Sequence, residues 1–256
     1  LVVVDPETEL DFLHKLPVAL MWGVGPATEA RLAKIGVTTI GQLAERTPQS
    51  VERLLGHAVG RKLTALAWNS DPRQIQTRRR ARSAGAQSAL GRRPAIERVF
   101  KPTLHHLADR IGARLRAKSL AGRTITVRVR FADLRSVTRS LTLSAPISAT
   151  RALAEIAEDL VRRILADHRH EKAISLLAIS VSHLEAHAIV QLELPLGLAD
   201  EGRRPGTKKG LARSRADRAV DAIRKRFGGK AVDYGSAARD ARSVPDEFRR
   251  LAEREL

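Results

Sequence analysis

The sequence predicts an α+β protein: an all-helical helix-hairpin-helix domain, then a ferredoxin-like β-α-β-β-α-β domain and a flexible basic C-terminal region. Three observations lead to this fold class. The chain has 256 residues, of which 43% are hydrophobic, so it can bury two compact cores. Apolar residues recur at helical spacing up to about residue 70. After residue 80 they alternate with polar residues in several stretches.

The first domain is predicted at residues 1–72 as a series of short helices. Pro26 fits the first turn of a helix that Gly36 ends, and Thr38-Thr39 can cap the helix after it. Residues 73–82 are rich in arginine and have no apolar periodicity, so we expect an extended basic linker there.

The second domain is predicted at residues 83–190 from six elements in the order of a split βαβ unit. Its third element alternates cleanly, with Ile125 and Val127 on one face and Arg128 and Arg130 on the other. Two helices would cover one face of a four-stranded sheet and leave these arginines on the open face. The six elements are expected at residues 80–90, 101–118, 124–131, 137–143, 149–166 and 174–184.

The region after the second domain is predicted to hold a docking peptide and linker at residues 191–210 and a basic element at residues 211–256. Alternate leucines of an extended peptide share one face and can enter an apolar cleft, with a glutamine amide at its mouth. The alternative is a final edge strand. Gly, Pro, Lys and Arg at 202–210 favour a flexible stretch, followed by a short helix at about 213–227. The docking residues would be Gln191, Leu192, Leu194 and Leu196.

The charge is strongly positive and uneven. Lys and Arg total 46 against 28 Asp and Glu, a net charge of +18. Residues 76–130 hold fifteen basic and two acidic side chains, and residues 203–230 hold eleven and two. Two such blocks repel themselves unless a polyanion neutralises them, which favours nucleic acid over an anionic membrane surface or an acidic protein. No apolar stretch reaches the length of a membrane span, and the absence of cysteine suits a reducing cytoplasm.

The most informative local motif is a Gly-x-Gly turn between two apolar helices. Its glycines allow a tight turn whose N–H groups face outward at a helix start, where a phosphate can bind. This pattern is typical of helix-hairpin-helix DNA binding without sequence preference, and the alternative is a tight connection with no ligand. The candidate residues are Gly23, Val24, Gly25 and Thr28.

Arginines supply the second set of candidate DNA contacts, by tracking phosphates without reading bases. The alternative is an ordinary solvated face. Aromatic residues make up only 3% of the chain, which argues against reading bases by stacking. These candidates are Arg78, Arg79, Arg80 and Arg82 in the linker and Arg128, Arg130 and Arg139 in the strands.

Catalytic constellations are poor. The neighbouring histidines His105-His106 do not share a helix face, so a metal pair there is not expected. Asp133 and Asp167 stand alone, without the second carboxylate of two-metal chemistry, and are expected to be turn or cap residues. We therefore predict no catalytic residue, metal ligand or cofactor site in this chain.

Several stretches, in order, resemble Y-family translesion DNA polymerases of the DNA polymerase IV type, the actinobacterial members most closely. Leu16-Pro17-Val18, Trp22-Gly23-Val24-Gly25 and the segment 32–44 resemble the thumb of that family. Residues 82–91, 138–143 and 176–184 resemble strands of its little-finger domain. Gln191 to Leu196 resembles the bacterial sliding-clamp-binding peptide, and residues 213–232 resemble a C-terminal element of some members.

The resemblance implies the DNA-holding half of a translesion polymerase, a bacterial cytoplasmic monomer that binds primer-template DNA and the sliding clamp. In the family the palm precedes the thumb and carries the carboxylates that hold Mg²⁺. No Ser-x-Asp-Glu cluster occurs here, so Mg²⁺ is expected only with a palm, and whether the parent is an active DNA-directed DNA polymerase stays open. The alternatives are an inactive clamp-binding adaptor and a stand-alone helix-hairpin-helix protein. The sequence upstream of Leu1 would separate them.

Overall fold

The computed structural model describes residues 2–71, 73–75, 81–188, 191–193, 203–229 and 231–234. The chain divides into two compact units, residues 1–79 and residues 80–256. None of the helices in the described residues combines the length and apolar character needed to cross a membrane.

The first unit consists of short helices around a small apolar core. Prolines occupy the first turns of α2 and α4, where the missing N–H costs nothing. Thr39 and Gln42 form a reciprocal capping box at α3, which confirms the predicted cap. Leu32, Leu43 and Leu63 are fully buried between the helices. The helices are α1 Glu9–Lys15, α2 Pro26–Ala33, α3 Ile40–Ala44, α4 Pro48–Leu55 and α5 His57–Ala67, with 3-10 turns at Pro6–Thr8 and Val18–Leu20.

The second unit has the predicted β-α-β-β-α-β order and one additional helix. Most predicted elements lie within a few residues of their expected bounds, and the first strand begins later and runs longer. The elements are β1 Ser83–Pro94, α6 Glu97–Ala117, β2 Leu120–Phe131, β3 Ser136–Ile147, α7 Thr150–Asp167, β4 Ala173–Ala186 and α8 Lys208–Phe227.

The strands form one antiparallel sheet in the order β1-β4-β2-β3. A ferredoxin-like sheet has its first and third strands in the centre, so that part of the prediction is wrong. The physical reason is burial. β2 and β4 carry the apolar runs and pair on both sides, whereas β1 and β3 are mostly polar and take the solvated edges. The order of elements along the chain does not specify which strands are central.

Helices α6 and α7 cover one face of this sheet, as predicted. Ile125, Val127 and Val129 of β2 point into the core between the sheet and the helices and have no exposed surface. Phe100 and Leu153 fill the same core from α6 and α7. The side chains between these β2 residues therefore belong to the opposite face, which none of the helices in the described residues covers.

Helix α8 differs from the prediction of a short helix after a flexible stretch. It begins at Lys208, where the Thr207 side chain accepts a hydrogen bond from Gly210 N. Its apolar residues Ile223 and Phe227 are exposed. Ion pairs hold the helix on α6 and α7.

Candidate nucleic-acid interface

The Gly-x-Gly turn of the first unit has the geometry that close backbone approach requires. Gly23 has φ +102°, a conformation that side chains disfavour, and Val24 N donates to Met21 O at 3.0 Å. Gly25 is the N-cap of α2, and a Cβ added to it would meet nothing within 4 Å. The space in front of this helix N-terminus is therefore open to a ligand.

Two backbone donors lie at this opening. Among the described residues, no backbone oxygen accepts from Gly23 N or Gly25 N. Thr28 N, by contrast, donates to Gly25 O at 2.9 Å and is used inside the helix. The Lys62 ammonium, from α5, lies 3.9 Å from the position of a Cβ on Gly23. Sequence reasoning missed Lys62, because it is far from the turn along the chain and belongs to no local motif.

The open face of the sheet is built from four cross-strand rows of small, mostly hydroxyl-bearing side chains. Two rows contain an arginine: Arg128 lies opposite Ala178 and Thr138, and Arg130 lies opposite Leu176 and Ser136. The sixteen positions carry no acidic side chain. The rows are Ser83–Ser182–Thr124–Thr142, Gly85–Ser180–Thr126–Ser140, Gln87–Ala178–Arg128–Thr138 and Ala89–Leu176–Arg130–Ser136.

Neutral partners position both arginines of this face. Arg128 donates to Gln87 Oε1 of the edge strand at 3.0 Å, and Arg130 Nε donates to Ser175 Oγ at 2.9 Å. Ser175 Oγ itself donates to Phe131 O at 2.7 Å, which fixes its position. Since neither arginine pairs with a carboxylate among the described residues, each keeps its full positive charge for an anionic ligand.

The structure does not bring Arg139 together with these two arginines. Arg139 lies opposite the core residue Val127, and therefore on the other face of the sheet, where it pairs with Asp167 at 3.2 Å. A one-residue difference in the pairing register of β3 with β2 decides on which face of the sheet Arg139 lies. The sequence alone did not reveal this register. Arg82 is exposed just before β1. Arg78, Arg79 and Arg80 lie outside the described residues.

The predicted docking peptide is described only at its start. Gln191 and Leu192 belong to no strand, β4 having ended at Ala186, and Leu192 is 73% exposed. Glu193 N donates to Gly206 O at 2.9 Å, and its carboxylate pairs with Arg204 at 2.5 Å. The edge-strand alternative finds no support in this part of the peptide. Leu194 and Leu196 lie outside the described residues.

The remaining titratable candidates make structural contacts. His105 bonds to Glu158 at 2.9 Å across α6 and α7, and Asp133 accepts from Arg135 N at 2.9 Å in a turn, as expected of that aspartate. Within the residues that the structure describes, no group of three histidine or acidic side chains could hold a metal ion.

Two family models match the chain. A model of the impB/mucB/samB family C-terminal domain matches residues 81–194, and a model of the IMS family HHH motif matches residues 6–37. Together they include the Gly-x-Gly turn and the whole four-stranded sheet. Neither model extends to α8.

Curated relatives carry the name DNA polymerase IV. DNA polymerase IV 2 of Mesorhizobium japonicum is 71% identical across the whole chain, which covers 62% of that protein. DNA polymerase IV of Streptomyces coelicolor is 34% identical over 72% of the chain and 38% of its own length. The expectation that actinobacterial members are most similar is therefore wrong. A relative from Desulfatibacillum aliphaticivorans is 30% identical over 94% of the chain and 58% of its own length.

The chain thus spans less than two thirds of the length of these relatives. Among solved structures, a Y-family DNA polymerase chimera is similar over 72% of the chain and 52% of its own length, with 20% sequence identity and a TM-score of 0.56. At that identity the similarity concerns the fold.

Proposed function

We propose a DNA-holding function, and the premise is that this chain belongs to the impB/mucB/samB family, the DNA polymerase IV type of Y-family DNA polymerase. The chain grips primer-template DNA by its phosphates within a longer translesion polymerase. The observation that carries the proposal is the open sheet face, which has two carboxylate-free arginines among small hydroxyl side chains.

Phosphate contact explains why this face is built as it is. Serine, threonine, glycine and alanine leave room for a duplex to approach the sheet, and the hydroxyls can donate to phosphate oxygens. Arg128 and Arg130 add the charge that makes such binding strong and dependent on salt. The open N–H groups at Gly23 and Gly25, with the Lys62 ammonium beside them, provide a second phosphate site in the first unit.

Docking on a sliding clamp is the second part of the proposal. The exposed Leu192 and the non-strand backbone of Gln191 support an extended, accessible peptide. A ring around DNA would raise the effective concentration of a polymerase that grips its template weakly. A catalytically inactive adaptor would use the same peptide, so DNA extension by the whole protein separates these two roles.

The DNA-holding proposal is tested by titrating a fluorescent primer-template with the full chain at several salt concentrations. The variant Arg128→Gln with Arg130→Gln should weaken binding equally on unrelated sequences. It should flatten the slope of log K against log salt by about 1.8, since each neutralised phosphate contributes about 0.9. The matched control is Arg98→Gln with Arg163→Gln, which removes two exposed arginines from α6 and α7 on the covered side of the sheet.

An unchanged slope in the sheet variant, or an equal loss in the control, would refute the assignment of this face. Strong preference of the unaltered chain for one sequence would contradict the phosphate mechanism itself.

A further inference from the structure

Helix α8 uses its only acidic side chains for docking. Asp217 and Asp221 are the two acids of the helix, and both pair with Arg116 of α6, at 3.3 Å and 2.6 Å. Asp217 also accepts from Thr150 N at 2.8 Å, which satisfies a free N–H at the start of α7. The inner face of α8 is thereby fixed, and no carboxylate remains for its outer face.

Two arginines of α8 complete the inner face. Arg213 donates to both oxygens of Glu155 in α7, at 2.7 and 2.8 Å, and Arg224 donates to both oxygens of Asp109 in α6, at 2.8 and 2.9 Å. Burial opposes ionisation of Glu155, but the hydrogen bonds from Arg213 and then Arg151 outweigh it and lower its pKa. Because these four charged side chains pair with residues of α6 and α7, α8 lies on the helical side of the domain, away from the open sheet face.

The outer face of α8 carries six exposed cations. None of them pairs with a carboxylate among the described residues. From Lys208 to Arg226 they extend along about 27 Å of helix at 1.5 Å per residue, the length of about eight base pairs of one DNA strand. The six are Lys208, Lys209, Arg215, Arg218, Lys225 and Arg226.

We infer that the outer face of α8 is a further binding surface for the phosphate backbone of duplex DNA, separate from the open sheet face of the same domain. Helices α6 and α7 separate it from the open sheet face, so one duplex segment too short to bend around the domain reaches only one of the two surfaces. The inference extends the proposed function, because it gives the same domain two opposed contacts with DNA. The outer face would hold a second stretch of duplex without sequence preference.

Charge complementarity favours DNA over the other partners of a basic helix. A membrane-surface helix needs a continuous apolar face, whereas the large exposed apolar side chains of α8 are Ile223 at 40% and Phe227 at 66%, both near its C-terminal end. An acidic protein would be expected to meet an apolar centre ringed by polar groups. The outer face of α8 is cationic through its middle.

The test measures how many 12-base-pair duplexes one full-length chain binds, by analytical ultracentrifugation at low salt. The α8 variant Arg215→Gln, Arg218→Gln, Lys225→Gln, Arg226→Gln leaves every docking pair in place. It should bind one duplex fewer than the unaltered chain, and its slope of log K against log salt on a long duplex should fall by about 3.6. Replacing the three arginines by lysine instead should retain the second duplex, because the charge is kept.

The sheet variant with Arg128→Gln and Arg130→Gln separates the two proposals. If α8 binds DNA and the sheet face does not, the sheet variant should bind as many duplexes as the unaltered chain, and only the α8 variant should bind one fewer. Unchanged stoichiometry and slope in the α8 variant would overturn the inference. The inference would also be overturned if the α8 variant lost binding to vesicles of anionic phospholipid while its DNA binding stayed unchanged. Loss of the second duplex in the lysine variant would overturn it as well.

Discussion

Replacing Arg116 by methionine should destabilise the second unit, since α8 docks around this side chain. Arg116 is 9% exposed and Asp217 4% exposed, so the substitution leaves a buried carboxylate without its cation. Breaking such a pair costs about 3 to 5 kcal/mol. The lower end applies, because Asp217 keeps the hydrogen bonds from Thr150 N and the Tyr234 hydroxyl. For a domain of this size, about 3 kcal/mol lowers Tm by about 6 to 12 °C.

Thermal unfolding of the full chain by circular dichroism measures this loss. Both tryptophans, Trp22 and Trp68, belong to the first unit, so their fluorescence follows a transition that should not move. Arg163→Met, at an exposed position of α7, is the control and should change stability by less than about 0.5 kcal/mol. A shift no larger than that of the control would show that the pair does not hold α8. So would failure of an added Asp217→Asn to recover part of the loss.

Three further predictions concern other parts of the chain. Gly25→Ala should lower DNA affinity at least tenfold in the titration with primer-template, because the added Cβ fills the open space in front of α2, and its loss of stability should stay below about 1 kcal/mol. Gly23→Ala, at φ +102°, should instead lower the free energy of unfolding of the first unit by about 1 to 2 kcal/mol. Burial and then a hydrogen bond to the Asp217 carboxylate raise the pKa of Tyr234 above its ordinary 10.0, so the stability that Tyr234 contributes is complete below pH 10 and is lost as pH rises further. A pH titration followed by absorbance at 295 nm should show Tyr234 ionising at higher pH in the folded chain than in urea, and identical titration curves would refute this. Gln191→Ala with Leu194→Ala should abolish binding to the cognate clamp in a calorimetric titration and leave DNA affinity intact, whereas loss of the second unit's fold would contradict an exposed peptide.

The sequence by itself determined the local structure and indicated a class of partner. Proline and threonine at helix starts, and strict alternation in β2, are signals that lie within a few residues, so the helices, the strands and their order were predictable. The side to which Arg128 and Arg130 point followed from the same alternation. The net charge pointed to a polyanion, since charge is a sum over residues and does not depend on the fold.

Only the tertiary structure decided which strands are central, on which face of the sheet Arg139 lies and how α8 docks on α6 and α7. These depend on register and on contacts between residues far apart in sequence. Arg139 does not belong to the proposed site, because it lies opposite Val127 and therefore on the covered face of the sheet. Lys62 lies beside the hairpin because α5 packs next to Gly23. The sequence predicted α8 only as a short helix. It docks through Asp217 and Arg224, and these side chains meet partners more than a hundred residues away in sequence only in the folded chain.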